Sequence, residues 1–264
     1  MTPSDFQAHT TAGVEPAFTP ALTSVPIMNL RRPAGLRPQV VSCAGCCVRK
    51  MCVPSAVTEP VEASEEATYA RKRLKRDELL CHMGAAADSV YAVRSGFLES
   101  RTAVHDGREQ VTGFHMPGDL VGIDAISSGT HATAIVALED AEVCVIPYAR
   151  LEQPEVRRHV HQAMTHELSR AQRMVLALGT LRAEERIAAF LVAFSERMRA
   201  LGYARDDFNM RMSRQDIGSY LGMSLETVCR ILMRFHRTGL IHLHQKHVRI
   251  LDMPALMARA ALGR

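Results

Sequence analysis

The chain lacks any run of about eighteen uncharged apolar residues, so nothing in it reads as a membrane span. Its first residues, Met1 to Asp5, have neither a basic start nor an apolar core and do not read as a secretory signal, so a cytoplasmic protein is expected. A strong charge is missing too. The net charge is +4 over 264 residues, too mild to mark a nucleic-acid binder by itself. The 47% hydrophobic and 23% charged residues that are present belong to a globular chain of one or two domains, not to a disordered or fibrous one.

The charge is unevenly distributed. From Arg205 to Arg264 there are ten basic residues against five acidic ones, so the C-terminal quarter carries about all of the excess. That fits a DNA-binding module on a roughly neutral body.

Residues 1–40 are rich in Pro, Thr and Ala without periodicity and read as a flexible leader. Residues 41–150 read as a cysteine loop followed by a β domain. A short helical stretch is expected from Pro60 to Ala70, then a solvated basic run from Arg71 to Arg76. Short alternating segments follow. Ser89 to Leu98 ends at a Gly turn, Asp106-Gly107 reads as a hairpin, and Pro117-Gly118-Asp119 marks another turn. Ala132–Leu138 and Ala141–Ile146 are further strands. Together they suggest a compact barrel or roll.

Over residues 151–182 the period becomes helical. Met164, Leu168, Ala171, Val175 and Leu178 are spaced four, three, four and three apart, a narrow a/d seam. It could lie on the chain's own barrel. The polar remainder of the helix favours a symmetric homodimer.

In residues 183–264, Ala183 opens a strong helix, and Ser213-Arg-Gln-Asp216 reads as a capping box whose helix ends at Gly222. Ser224 caps a second helix ending near Gly239. Ile241–Leu243 and Val248–Leu251 form a small hairpin. Helix, glycine turn, helix and hairpin make a winged helix-turn-helix. The fold class expected is α+β: an N-terminal double-stranded β-roll sensor domain, a long dimerisation helix and a C-terminal winged helix-turn-helix.

Glu226, Cys229 and Arg230 have the spacing that sends side chains into one groove. Arg can grip guanine bidentately and Glu can accept from cytosine, although the pair can also be a plain i,i+4 surface ion pair. Ser213, Arg214, Lys246 and Arg249 are candidates for phosphate contacts, which position the protein without specifying sequence.

Seven cysteines is an odd number, and in a chain without an export signal it argues for thiols or metal ligands over a disulfide framework. Cys43, Cys46 and Cys52 stand as C-x2-C-x5-C, with Cys47 between them and Cys144 far downstream in a strand. Such a set can enclose a soft metal centre. A tetrahedral zinc and a cubane iron–sulfur cluster both need four ligands, and the spacing leaves both open. No βαβ unit surrounds the loop, which argues against a thioredoxin-type redox enzyme. Cys81 and Cys229 read as a packing residue and a surface thiol.

These motifs together resemble the FNR-type regulators of the CRP/FNR family, from about Cys43 to the C-terminus. The resemblance rests on the cysteine loop ending Met51-Cys52-Val53-Pro54 and on Ser89-Val-Tyr-Ala-Val-Arg-Ser-Gly96. It rests also on Gln110 to Ile126, Val143-Cys144-Val-Ile-Pro147, Ala183-Glu-Glu-Arg186 and Glu226-Thr-Val-Cys-Arg230. It implies a non-enzymatic transcription regulator of low-oxygen gene expression, controlled by an oxygen-labile [4Fe–4S] cluster on Cys43, Cys46, Cys52 and Cys144, with Cys47 a spare. It also implies double-stranded DNA with a TTGAT-like inverted repeat as target. RNA polymerase would be met by the loops around Asp106-Gly107-Arg108 and Ile123 to Gly129. The family carries Glu-x-x-Ser-Arg in the reading helix, and Cys229 replaces that serine here. Cyclic-nucleotide-binding cousins place an acid and an arginine against the nucleotide. No arginine appears here between Arg108 and Arg150, so no cyclic nucleotide is expected. The alternative is a zinc-stabilised or cluster-independent regulator of the same family without oxygen sensing.

Overall fold

A computed structural model describes residues 40–42, 46, 68–103 and 107–260. The leader up to residue 39, Cys43, Cys47, Cys52, Asp106 and residues 60–67 of the expected helical stretch lie outside the described residues.

The first strand, β1 (Val40–Ser42), stands immediately before the cysteine loop and pairs antiparallel with β2 (Thr68–Leu74), Val40 opposite Ala70. Thr68 to Ala70 are therefore strand, which corrects the helical expectation for those residues. The first part of the basic run, Arg71 to Arg73, continues the same strand; Arg73, Lys75 and Arg76 stay exposed, as a solvated face would, while Arg71 and Lys72 are half-buried and engaged. Arg71 donates to Glu142 at 2.9 Å, Lys72 to the Leu80 carbonyl at 3.1 Å and Lys75 to Asp140 at 2.7 Å. Five basic residues within six positions are accommodated here because Glu142 of the facing β9, and Asp140 just before it, supply the acids.

Short strands follow: β3 (Leu79–Cys81), β4 (Ser89–Ser95), β5 (Leu98–Ala103), β6 (Glu109–His115), β7 (Leu120–Val121), β8 (Ala134–Ala137) and β9 (Ala141–Pro147). They form two sheets, ordered β1-β2-β9-β4-β7 and β3-β8-β5-β6. This is the expected roll, and β5 and β6 are the expected hairpin, Ala103 opposite Glu109. Its interior holds Leu74, Leu80, Cys81, Val93, Leu98, Val121, Ile135, Ala137, Ala141 and Val143. On β9, Ala141 and Val143 face that interior while Cys144 and Ile146 pack into a second apolar cluster with Val90, Ala92 and Leu120. Apart from Glu142, β9 is apolar along its length, as suits a strand with apolar neighbours on both faces.

A short helix α1 (Tyr148–Leu151) leads into α2 (Pro154–Thr180), a single long helix. Proline at its start is tolerated because that residue's N–H has no intrahelical acceptor. Val156 and Val160 of its first turns close the cluster around Cys144. Beyond them the apolar stripe is uncovered: Leu168 is 59% and Val175 72% exposed.

The C-terminal part begins with α3 (Ala183–Ala200) and strand β10 (Asp207–Asn209). Helices α4 (Arg214–Leu221) and α5 (Leu225–Arg237) follow, then a wing of β11 (Ile241–His244) and β12 (His247–Ile250), and α6 (Met253–Arg259). Both β10, which makes the wing three-stranded, and α6 are additions to the sequence reading. Their segments are too short to show a period.

Candidate nucleic-acid interface and thiol site

The turn between α4 and α5 is built by local chemistry. Ser213 Oγ accepts the Asp216 N–H at 3.1 Å and Asp216 Oδ2 accepts the Ser213 N–H at 2.7 Å, so the capping box is closed in both directions. The helix stops at Gly222, whose φ of +61° favours glycine. Gly218 is needed for a different reason, since a Cβ there would meet the Met223 carbonyl oxygen at 2.7 Å. Ser224 Oγ then accepts the Thr227 N–H at 3.2 Å and starts α5.

Helix α5 is sharply two-faced. Val228, Ile231, Leu232 and Phe235 are buried, so the opposite face must point outward. That face carries Glu226, Cys229 and Arg230, all exposed. Glu226 and Arg230 approach within 3.7 Å, and Arg230 also reaches the Thr227 hydroxyl at 3.5 Å. The intrahelical pair therefore forms in the free protein. At 86% and 59% side-chain exposure it is weak enough to be exchanged for bases. Thr227, which the sequence reading left out, steadies Arg230.

The phosphate candidates do not all stand alike. Lys246 and Arg249 are exposed on the wing; Lys246 touches the Arg211 carbonyl at 3.1 Å and Arg249 lies 3.8 Å from Asp207. Arg214 is half-buried and donates to the Gln245 carbonyl at 2.7 Å, tying α4 to the wing turn. Burial lowers the pKa of its guanidinium. Ser213 is committed to the cap, with its own O–H proton left to donate.

The two described cysteines of the expected ligand set share one apolar cluster. Cys144 is 4% exposed, and Cys46 packs, half-buried, against the same apolar cluster. Among the described residues no group of three His, Cys, Asp or Glu forms a metal site, and Cys43 and Cys52 lie outside them. Two soft sulfur donors in a dry setting suit a soft metal centre. Cys81 is buried in the roll, where burial followed by Asp124 pushes its thiol up to about 11, so it is an inert packing thiol. Cys229 is an exposed thiol.

Residues distant in sequence also join the roll to the reading domain. Val111 N–H donates to Ser219 Oγ at 2.9 Å, and the Gln110 amide donates to the Ser219 carbonyl. Arg101 of β5 lies 3.7 Å from Asp216, the capping-box acid. Asp119, in the Pro117-Gly118-Asp119 turn, pairs with Arg197 of α3 and, at 3.5 Å, with Arg170 of α2. Burial pushes its carboxyl up, but Arg197 and Arg170 outweigh that and hold it below the usual range. Nothing local in the sequence marks these partners.

A two-sheet roll feeding a long helix and a winged reading motif has the architecture of a DNA-binding regulator. Known proteins agree. Residues 71–153 match the cyclic nucleotide-binding domain model and residues 185–259 the Crp-like helix-turn-helix domain model. The transcriptional regulatory protein btr of Bordetella pertussis is 39% identical over 86% of this chain and 96% of its own. The anaerobic regulatory protein of Haemophilus influenzae is 36% identical over 82% of this chain and 87% of its own. The structure of FixK2 from Bradyrhizobium japonicum superposes with a TM-score of 0.68 at 30% identity, covering 74% of this chain and 99% of that one. The chain belongs to the CRP/FNR family of transcription regulators. It is a DNA-binding regulator and not an enzyme.

Proposed function

We propose that the protein is a cytoplasmic, homodimeric regulator of low-oxygen gene expression whose dimerisation and DNA binding are controlled by an oxygen-labile [4Fe–4S] cluster held by Cys43, Cys46, Cys52 and Cys144. The observation that carries this reading is the packing of Cys46 against the cluster that buries Cys144, about a hundred residues away in sequence. Val156 and Val160 belong to the same cluster, so a change at the thiols acts on the root of α2 and hence on its seam. A relative named as an anaerobic regulator supports the oxygen assignment. Bound there, the cluster supplies an iron centre that oxygen dismantles.

Met164, Leu168, Ala171, Val175 and Leu178 are the dimer interface in this reading, exposed in the single chain and covered in the pair. Glu226, Cys229 and Arg230 read the bases of a TTGAT-like half-site. Ser213, Arg214, Lys246 and Arg249 set the domain on phosphates. RNA polymerase meets the loops at residues 106–108 and 123–129. The roll takes no cyclic nucleotide. Asp124 already accepts the N–H groups of Ala132 and Thr133 at 2.8 and 3.0 Å and the Thr133 hydroxyl at 3.1 Å. No arginine between Arg108 and Arg150 supplies a fork for a phosphate.

Anaerobic purification with iron and sulfide assays tests the assignment. Iron with sulfide and a visible band that bleaches in air are expected. Cys144→Ser loses the iron, since a hydroxyl is a poor soft-metal ligand, and Cys47→Ser keeps it. Zinc without sulfide would establish the zinc-stabilised alternative instead.

A further inference from the structure

The wing is unusually rich in histidine: His242, His244 and His247 lie within six residues, and His236 stands on α5 behind them. The strand pattern sorts them. Ile241, Val248, Ile250 and Phe208 are buried, so the alternate residues point outward. Register then places Asp207, Arg249 and His242 in one cross-strand row and Asn209, His247 and His244 in the next. Lys246 sits at the hairpin tip beside them.

Arginine and lysine side chains border this surface. Arg214 of α4 holds the Gln245 carbonyl, and Lys246 holds that of Arg211. Asp207, the acid in this row of the sheet, is engaged by His247 at 2.6 Å and by Arg249 at 3.8 Å. His236 takes the Leu243 N–H on its Nδ1 at 3.3 Å, so a second proton there would break that bond; its ring stands edge-on to His242 at 5.4 Å. His242 and His244 are exposed and, among the described residues, pair with no carboxylate. Imidazole changes charge between about pH 5 and 8. An approaching line of phosphates favours the cationic form of an exposed imidazole.

We propose that the outward face of the wing is a proton-dependent phosphate-binding surface, on which His242 and His244 take up protons as the DNA backbone approaches. The gain is blind to sequence, because phosphates carry no base information. The inference rests on the proposed seating of Lys246 and Arg249 on the backbone.

The test is fluorescence anisotropy of the full-length, anaerobically purified protein on half-site DNA and on random duplex, at about pH 6 and about pH 8. Wild-type affinity for both DNAs should rise roughly three- to tenfold at the lower pH, with a steeper salt dependence. The double variant His242→Gln/His244→Gln should bind like wild type at the higher pH and lose most of the gain. A double variant that keeps the full gain, or a wild type without one, overturns the inference. Lys246→Ala separates the two layers. If it weakens binding to random DNA while the histidine variant keeps its gain, only the proton-dependent surface fails. If it changes nothing on random DNA, the seating of the wing fails, and the inference with it.

Discussion

Arg230 shows what a single side chain contributes and what it gives up. In the free protein it is held loosely by Glu226 and Thr227, both on its own helix, so binding replaces weak, solvent-exposed contacts. Arg230→Ala should therefore cost about 1–3 kcal/mol on the specific site and far less on random DNA. Equal losses on both would remove Arg230 as a base reader. A second residue-scale prediction concerns Glu99, which is 0% exposed and receives Arg101 Nε at 2.5 Å. Burial, then Asp216, pushes its carboxyl up to about 7 against the pull of Arg101. A carboxyl that holds its proton more firmly folded than unfolded lends most stability at low pH, and loses it as pH rises from about 4.5 to about 7. His115 works in the opposite direction: burial pushes it down to about 4, so its share is lost as pH falls below about 6.5. The two overlap in the wild-type curve. The difference between Glu99→Gln and wild type isolates the first, and the variant should gain in Tm relative to wild type between pH 5 and 8, in the range where Glu99 ionises. Parallel curves would place the ionisation elsewhere.

At the scale of an element, α2 is decided by its uncovered stripe. The five seam positions are exposed, and none is charged, so nothing on the seam opposes pairing once two helices align. Ala171 packs least but lets the backbones approach. A member with an acid in its seam would face like-charge repulsion across a two-fold axis. The air-exposed wild type is therefore expected to sediment largely as a dimer at micromolar concentration, and Ala171→Asp as a monomer whose DNA binding depends more on the intact cluster. Monomer in both would show that the seam does not set association. The lower end of the stripe also touches the reader, since a Cβ on Gly222 would come within 3.1 Å of Leu178.

At the scale of the whole molecule, the roll and the reading domain share one core. Phe97 and Phe114 of the roll, Phe190 and Phe194 of α3, Phe208 of β10 and Tyr220 of α4 form a connected ring network, which uses five of the eight phenylalanines. Asp119 stitches the same joint electrostatically through Arg197 and Arg170. Removing the anion from between two guanidiniums should destabilise the protein, by about 2 kcal/mol in Asp119→Asn. That is less than the ~3–5 of a fully buried pair, because these side chains keep some solvent. Urea unfolding measures it. Specific DNA binding should fall further than stability does, because the joint also fixes where α4 sits. A variant as stable and as tight-binding as wild type would leave Asp119 without that role.

What the sequence by itself determined is local: the roll's strands and turns, the long helix, the capping box, the glycine between α4 and α5, and the outward triad Glu226, Cys229 and Arg230. Each follows from a period, a cap or a positive φ that neighbouring residues impose, so each is readable without knowing the fold. Only the tertiary structure decided the rest. Arg71 to Arg73 became strand because β9 pairs alongside them and its Glu142 accepts Arg71 and Arg73. Arg214 became a tether because the wing turn offers it a carbonyl. Asp119, Arg101 and Ser219 became joints because the roll folds against the reader. Cys46 joins the cluster around Cys144 only because the chain brings the two together across about a hundred residues. Such partners lie scores of residues apart, and the energy of bringing them together depends on burial and charge that appear only once the chain has closed on itself.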